Sequence, residues 1–580
     1  MVLHQYDYIF AIGTIFAFLD AWNIGANDCA NSWSTSVSSR SLKHWQAMVL
    51  GSIMEFAGAV GVGNSVADTI RTKIVEIDAF TDNAPLLMLG MCCAVVASSI
   101  YLTICTKIGL PVSTTHSILG GILGMGIALI GADDVIWWGG DINSGVVQVF
   151  LAWVIAPLLS GVAGALIFLI TKYGILLRPN AALKALYTVP FYFLLTSALL
   201  TMLIVWKGGS SRIDLEGAEI AGTVVGTGAG VALISAIFLC PWLYRRVIKS
   251  DWQLKPWDLI YGPLLLRRGD VPPRPAHVKT VRDYYRGHKT MEELQAERNG
   301  DEETARAESS SSTNGEHPTP DLKGQPDVTT NSRDETGSTT TDPDVINVCG
   351  PRPEGTWYSV PVLFWYAKKA FLNGIEQDIV SAQGNAGKLS GDLEKTHAHA
   401  AHYDNEAEYM FSFLQILTAC TASFTHGAND VANAVGPYAT IYAIWRSGAL
   451  EGAKTEVPIW ILVFGGAGIS IGIWTYGYHI MRNLGNKLTL HSPSRGFTME
   501  LGAAIAVIIA TRLKLPVSTT QCITGATVGV GLCNGTWRTI NWRMVAWIYM
   551  GWIITLPCAG IIAGCLTGII VNAPRWGMPN

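Results

Sequence analysis

The chain has 580 residues, of which 49% are hydrophobic and only 14% charged, and its formal net charge is −4. Soluble domains carry about 25% charged residues, so composition argues against a soluble core, and no nucleic-acid partner is expected. The eleven cysteines include no CxxC pair and read as small buried residues rather than a disulfide framework or metal site.

A bilayer core needs about 20 apolar residues per helix. About twelve segments qualify or come close: 6–26, 45–66, 84–107, 111–131, 146–171, 186–206, 219–244, 408–445, 458–480, 497–512, 516–534 and 545–571. The first begins with Asp7 and lacks a basic leader region, so it is predicted to stay as a helix. Segment 408–445 is too long for one simple span and is expected to be broken or re-entrant. Segments 497–512 and 516–534 are short and separated near Pro516. The predicted fold class is an all-α integral membrane protein with about 12 transmembrane segments, in two membrane halves, 1–244 and 406–575. The intervening loop, 245–405, is expected to be largely disordered at 290–356, where Ser, Thr, Asp, Glu, Gly and Pro dominate. Its THAHAAH stretch, with His397, His399 and His402, reads as polar linker.

Basic residues favour the cytoplasmic side. Arg245, Arg246, Lys249, Lys255, Arg267 and Arg268 follow the seventh segment, whereas loop 132–144 carries Asp133, Asp134 and Asp141 and no Lys or Arg. The central loop is therefore expected in the cytoplasm and both termini outside.

Two motifs recur. GANDCAN at Gly25–Asn31 returns as GANDVAN at Gly427–Asn433, and PVSTTH at Pro111–His116 returns as PVSTTQ at Pro516–Gln521. Asn27 and Ser113 are 86 residues apart, and Asn429 and Ser518 are 89 apart. Seven segments precede the loop, an odd number, so the halves are expected to have inverted topology. Inverted repeats interrupted by polar or Pro-containing segments point to a secondary transporter with its site at mid-membrane.

An ionised Asp in hydrocarbon usually marks an ion path or a paired site, so Asp28 and Asp430 are candidate cation ligands. The amides of Asn27, Asn31, Asn429 and Asn433 supply carbonyl oxygens for a hard cation such as Na+ and N–H donors for an adjacent anion. A Pro that breaks one helix can open the next. Ser113, Thr114 and Thr115, and likewise Ser518, Thr519, Thr520 and Gln521, are then expected at helix N-termini, whose free N–H groups and dipole suit an oxyanion. Ser113 and Ser518 are also candidate cation ligands. Glu55 and Glu500 lie at membrane depth without a twin in the other half, and are candidates for coupling.

The duplicated GANDxAN and PxSTT motifs, either side of a large loop, resemble those of the inorganic phosphate transporter family, the PiT-type sodium/phosphate symporters. The opening HQYDYIFAIGTIFAFLDAWNIGAND and the closing NWRMVAWIYMGW are similar to the fungal plasma-membrane members. The resemblance implies Na+-coupled phosphate uptake by alternating access, homodimerisation, and transport roles for Asp28, Glu55, Asp430 and Glu500. Animal members carry a further acidic residue in the third segment, where this chain has Met91, and Gln521 stands where the first motif has His116. Na+ is expected as co-transported ion, with no cofactor. Sulfate as substrate, protons as coupling ion, and a phosphate-sensing receptor or channel stay open as alternatives. No nucleophile–base pair or nucleotide loop suggests an enzyme.

Overall fold

The computed structural model describes residues 2–64, 74–139, 145–207, 216–275, 278–297, 299, 349–372, 374, 377–384, 389–450, 457–513, 515 and 517–573. Among them the only β pairing is an isolated bridge, Val75 with Val135. The principal helices are α1 (Asp7–Ser38), α2 (His44–Val62), α3 (Ala84–Ile108), α4 (Thr114–Ile130), α5 (Val147–Thr171), α6 (Ala181–Lys207), α7 (Gly217–Ile234), α8 (Asn405–Ser447), α9 (Ile459–Met481), α10 (Pro493–Arg512), α11 (Thr519–Leu532) and α12 (Trp542–Asn572). Each overlaps one of the apolar segments expected from the sequence.

Among the described residues, eight helical stretches are long and apolar enough to cross a membrane: those containing α1, α2, α3, α5, α6, α7, α9 and α12. Helix α4 is apolar but shorter. Helices α8, α10 and α11 fall outside this set, and they carry much of the polar machinery described below. The expectation of a broken segment at 408–445 is corrected. Helix α8 runs unbroken for 43 residues through Pro437, about 64 Å at 1.5 Å per residue, roughly twice the thickness of a hydrocarbon core. At its N-terminal end Glu408 is buried and takes the Tyr285 hydroxyl of the central loop. The chain breaks instead between α3 and α4. Helix α3 ends at Gly109 in the left-handed conformation, and α4 starts at Thr114 rather than at Pro111, with Ser113 as its N-cap.

The two motif helices sit against the second helix of the opposite half. A β-carbon on Gly25 of α1 would fall 1.9 Å from the Ile469 carbonyl oxygen of α9, and one on Gly427 of α8 would fall 2.2 Å from the Glu55 carbonyl oxygen of α2. Only glycine lets these backbones meet, the small-residue packing used by membrane helices. A similar reciprocity pairs α4 with α12 and α11 with α5, again through glycines such as Gly124 and Gly529. Met91 is wholly buried in the larger apolar core, with Trp33, Met48 and Trp552.

Parts of the central loop are docked. The Tyr285 hydroxyl donates to Glu408 Oε1 (2.8 Å), which also takes the Ser494 hydroxyl (2.8 Å), while Glu408 Oε2 accepts the Ser494 N–H (2.7 Å). Burial, and then the neighbouring Glu408 carboxylate, push the Tyr285 phenol above its ordinary pKa. The Gln383 amide is fully buried: its oxygen accepts from the Ser38 hydroxyl (2.9 Å) and its nitrogen donates to the Met481 carbonyl (2.8 Å). His397, expected in a solvated linker, is buried against the Asn486 carbonyl (2.6 Å) and His288. Within 290–356, residues 291–297 and 299 are helical and 290 and 349–356 irregular; 298 and 300–348 lie outside the described residues.

Candidate functional site

Helices α1 and α8 bring their aspartates to the same place, opposite the N-termini of α4 and α11. Asp28 Oδ1 accepts from Asn31 Nδ2 (3.0 Å) and Thr520 Oγ1 (3.0 Å), and its Oδ2 accepts from Thr114 Oγ1 (2.9 Å). Asp430 repeats this arrangement. Its Oδ1 accepts from Asn433 Nδ2 (3.2 Å) and Thr115 Oγ1 (3.2 Å), and its Oδ2 from Thr519 Oγ1 (3.0 Å). Each carboxylate thus takes one amide from its own helix, one hydroxyl from its own half and one from the other. The amides add a second layer: Asn31 Nδ2 reaches Thr520 (2.8 Å), and Asn433 Nδ2 reaches Thr114 and Thr115 (3.2 Å each). A hydrogen bond to a charged group contributes about 1.5–3 kcal/mol, so three donors per carboxylate offset much of the cost of burying it.

His426 joins the two. It lies one turn before Asp430 on α8, and its Nε2 is 2.9 Å from Asp430 Oδ2 and 3.4 Å from Asp28 Oδ2. Its Nδ1 is 2.6 Å from Glu55 Oε2, and the other Glu55 oxygen accepts from Ser423 Oγ (3.1 Å). Ligand atoms of Asp28, His426 and Asp430 all lie within 4.8 Å of one another, a spacing that suits one small cation. A cavity of about 20 Å³ is lined by Asn31, Ser32, Thr425, His426 and Thr519 among others, room for about one water molecule.

Of the residues expected from the sequence, Asp28, Asp430, Asn31, Asn433, Thr114, Thr115, Thr519 and Thr520 therefore converge, and Glu55 joins through His426. Ser113 is at hand but serves as the α4 cap, accepting from the His116 N–H (3.1 Å). Ser518 occupies the matching N-cap position of α11, buried but without a cap bond. Asn27 turns away: its Nδ2 donates to Thr106 Oγ1 and the Leu110 carbonyl, and its Oδ1 accepts the Val112 N–H (3.1 Å each). It thereby ties the α3–α4 break to α1. Asn429 is half-buried. Gln521 is fully buried, with neither amide atom hydrogen-bonded. Pro516 lies outside the described residues.

Glu500 forms a separate cluster. Its Oε1 accepts from Thr35, from Ser36 Oγ (3.1 Å) and from Gln415 Nε2 (3.5 Å), and its Oε2 from Thr418 Oγ1 (2.5 Å). It is fully buried at the α1–α8–α10 junction. His426, Gln415 and Thr418 were missed from the sequence. His426 was detectable as a titratable residue four before Asp430, on the same helix face.

The sequence matches the phosphate transporter family over residues 24–563, nearly the whole chain. The chain belongs to that family. It is 63% identical, over 100% of both chains, to the phosphate-repressible phosphate permease of Neurospora crassa. It is 29% identical to a putative phosphate permease of Pyrococcus furiosus, covering 97% of this chain and 96% of that one. With sodium-dependent phosphate transporter 1 of Mus musculus it shares 27% identity, over 97% and 96% of the two chains. A solved structure titled "The sodium-dependent phosphate transporter" has the same fold, with a TM-score of 0.62 at 23% identity, covering 98% of this chain and 100% of that one. Membership of this family, with these apolar helices, makes the chain a multi-pass membrane protein and a transporter-family member rather than an enzyme.

Proposed function

We propose that the chain is a sodium-coupled symporter that imports inorganic phosphate across the plasma membrane by alternating access. The observation that carries this reading is the crossing of hydroxyls between halves: Thr520 with Thr114 on Asp28, Thr115 with Thr519 on Asp430. A site built equally by two repeats is what inverted-repeat transporters place at their midplane. The reciprocal helix contacts through Gly25 and Gly427 support the same repeat relation. In this reading the central loop is cytoplasmic, both termini are extracellular, and the carrier works as a homodimer in the lipid bilayer.

The chemistry follows from the donor set. Na+ is held by carboxylate oxygens of Asp28 and Asp430, with Asn429, Ser113 and Ser518 as further oxygen donors, while Asn27, turned to the α3–α4 break, positions α1. Cation binding frees the Thr114, Thr115, Thr519 and Thr520 hydroxyls, which rotate from the carboxylates onto phosphate. Phosphate also takes the N–H groups at the starts of α4 and α11 and the amides of Asn31, Asn433 and Gln521. Phosphate is more than singly charged at neutral pH, so it crosses only with its cations, because an uncompensated charge at mid-membrane is costly. Glu55 and Glu500 couple occupancy to the change of access. A second reading, proton coupling, is favoured by one observation: His426 between Glu55 and both aspartates. Phosphate uptake by cells lacking other phosphate carriers, with Na+ against choline at two pH values, separates the two. Uptake that needs Na+ supports the first; equal uptake in choline with a pH gradient supports the second.

A further inference from the structure

A second carboxylate is buried in α1, eight residues before Asp28, and the machinery above does not use it. Asp20 is fully buried, as are Asn23, Ser98 and Ser99. Among the described residues, Asp20 forms no ion pair. Its Oδ1 is 3.4 Å from Ser99 Oγ, but that hydroxyl spends its proton on the Phe16 carbonyl at 2.8 Å. Asp20 Oδ2 has no hydrogen-bond partner. Ser98 lies beside the carboxylate and is its second hydroxyl neighbour, and the Ser98 Oγ bonds to nothing else.

Asn23, one turn further along α1, completes the set. Its Nδ2 donates to the Leu19 carbonyl (3.0 Å), the Ser99 carbonyl (3.3 Å) and Thr103 Oγ1 (2.9 Å). Thr103 in turn donates to the Ser99 carbonyl (2.7 Å), so all three groups facing Nδ2 are acceptors. That fixes the amide orientation, because a flipped amide would set oxygen against oxygen. Asn23 Oδ1 is then left buried and unpartnered. The α1–α3 seam holds two buried unpartnered oxygens, Asp20 Oδ2 and Asn23 Oδ1, beside the Ser98 hydroxyl and with one formal negative charge among them.

Buried polar atoms without partners are rare and costly. Oxygen-only ligands suit hard cations, and a single carboxylate matches the charge of a monovalent ion. The seam also leads to the main site: below Asn23, Asn27 ties Thr106, Leu110 and Val112 together, and the Val112 carbonyl accepts from Thr520 (3.3 Å). The matching seam of the other half, α8 with α10, carries its carboxylate on the opposite helix, as Glu500 facing Thr418.

We propose that Asp20, Asn23, Ser98 and Ser99 form a sodium site between α1 and α3, additional to the Asp28–Asp430 site. The proposal rests on the sodium-coupled reading for its role in transport, but Na+ binding at Asp20 is testable without it. Purified full-length protein in phosphate-free nanodiscs is titrated with Na+ against choline at constant ionic strength, following thermal unfolding. Reconstituted protein is then assayed for the ratio of radiolabelled sodium to radiolabelled phosphate moved. Asp20→Asn is expected to move the Na+ midpoint about tenfold or more, as loss of the only charge in a buried site implies, and to lower the transported ratio by one sodium. Ser98→Ala removes one small hydroxyl and no charge, so it should fold, and it is expected to move the midpoint the same way by about threefold. Superimposable Na+ titrations for wild type and Ser98→Ala, or a response of Asp20→Asn to pH and not to Na+, overturn the proposal. Wild-type phosphate flux without sodium flux would sink the coupled reading; Na+ stabilisation that Asp20→Asn abolishes would then still uphold the site.

Discussion

Thr520, in the C-terminal half, donates its hydroxyl to Asp28 of the N-terminal half across 3.0 Å. The converse bond, Thr115 to Asp430, spans 3.2 Å. Neither half can build the site alone, and a change at one residue of a crossed pair is felt by the other.

That coupling gives the first prediction. Asp28→Asn and Asp430→Asn each remove an ionic acceptor around which three donors are arranged, and each should lower phosphate uptake at least about tenfold. Thr520→Ala alone should cost less. In a double-mutant cycle the pair Asp28→Asn with Thr520→Ala should fall short of additivity by about 0.5–3 kcal/mol, as residues in direct contact do. Initial uptake rates at matched surface expression check it; full additivity would break the link.

His426 gives the second. Removing the imidazole leaves Glu55 with Ser423 alone and deprives both aspartates of a shared neighbour. His426→Ala should abolish uptake while leaving the protein folded. Glu55→Gln and His426→Ala should be no worse together than singly, because they break one chain of contacts. Uptake in the three variants, alongside size-exclusion profiles, tests this.

The third concerns the glycine that opens each heptad. Gly25→Ala or Gly427→Ala sets a methyl group about 2 Å from a backbone carbonyl oxygen on α9 or α2. Helices must separate to admit it, so each variant should lose about 1–3 kcal/mol of stability, as overpacking does. A lower unfolding temperature in nanodiscs is expected for both, and a smaller loss for Gly61→Ala, where a β-carbon meets nothing within 4 Å.

The docked loop gives the fourth. Glu408→Ala strips partners from Tyr285 and from both donors of Ser494, whereas Tyr285→Phe removes one hydroxyl. Leaving buried donors unpaired costs about 1–3 kcal/mol each, so Glu408→Ala should destabilise the docked segment more. Limited proteolysis of the central loop reads this directly, with cleavage accelerating in the order wild type, Tyr285→Phe, Glu408→Ala.

The main site was legible because its residues repeat: two Asp-centred heptads and two Ser-Thr-Thr turns, similarly spaced, could be paired before any coordinates. Repetition does not point to His426, since the first half has Ile24 at that position; only its place four residues before Asp430 does. Asp20 hid inside FAFLDAW, an apolar run whose periodicity carries no information when a helix is buried on several sides. The continuity of α8 was missed because length alone suggested a break; Pro437 is accommodated within the helix and its N-terminal end is covered by the loop. The loop itself reads as polar linker by composition, yet a few residues, Gln383, His397 and Tyr285, anchor it through hydrogen bonds to distant helices that composition does not register.

The most direct test of the account is simultaneous flux of radiolabelled sodium and phosphate in proteoliposomes holding the full-length protein, with an inward Na+ gradient and no pH gradient. The account predicts that phosphate accumulates against its own gradient, that sodium enters in fixed proportion, and that Asp28→Asn and Asp430→Asn abolish both fluxes together. Phosphate accumulation that persists when choline replaces Na+, or that survives both substitutions, would contradict it.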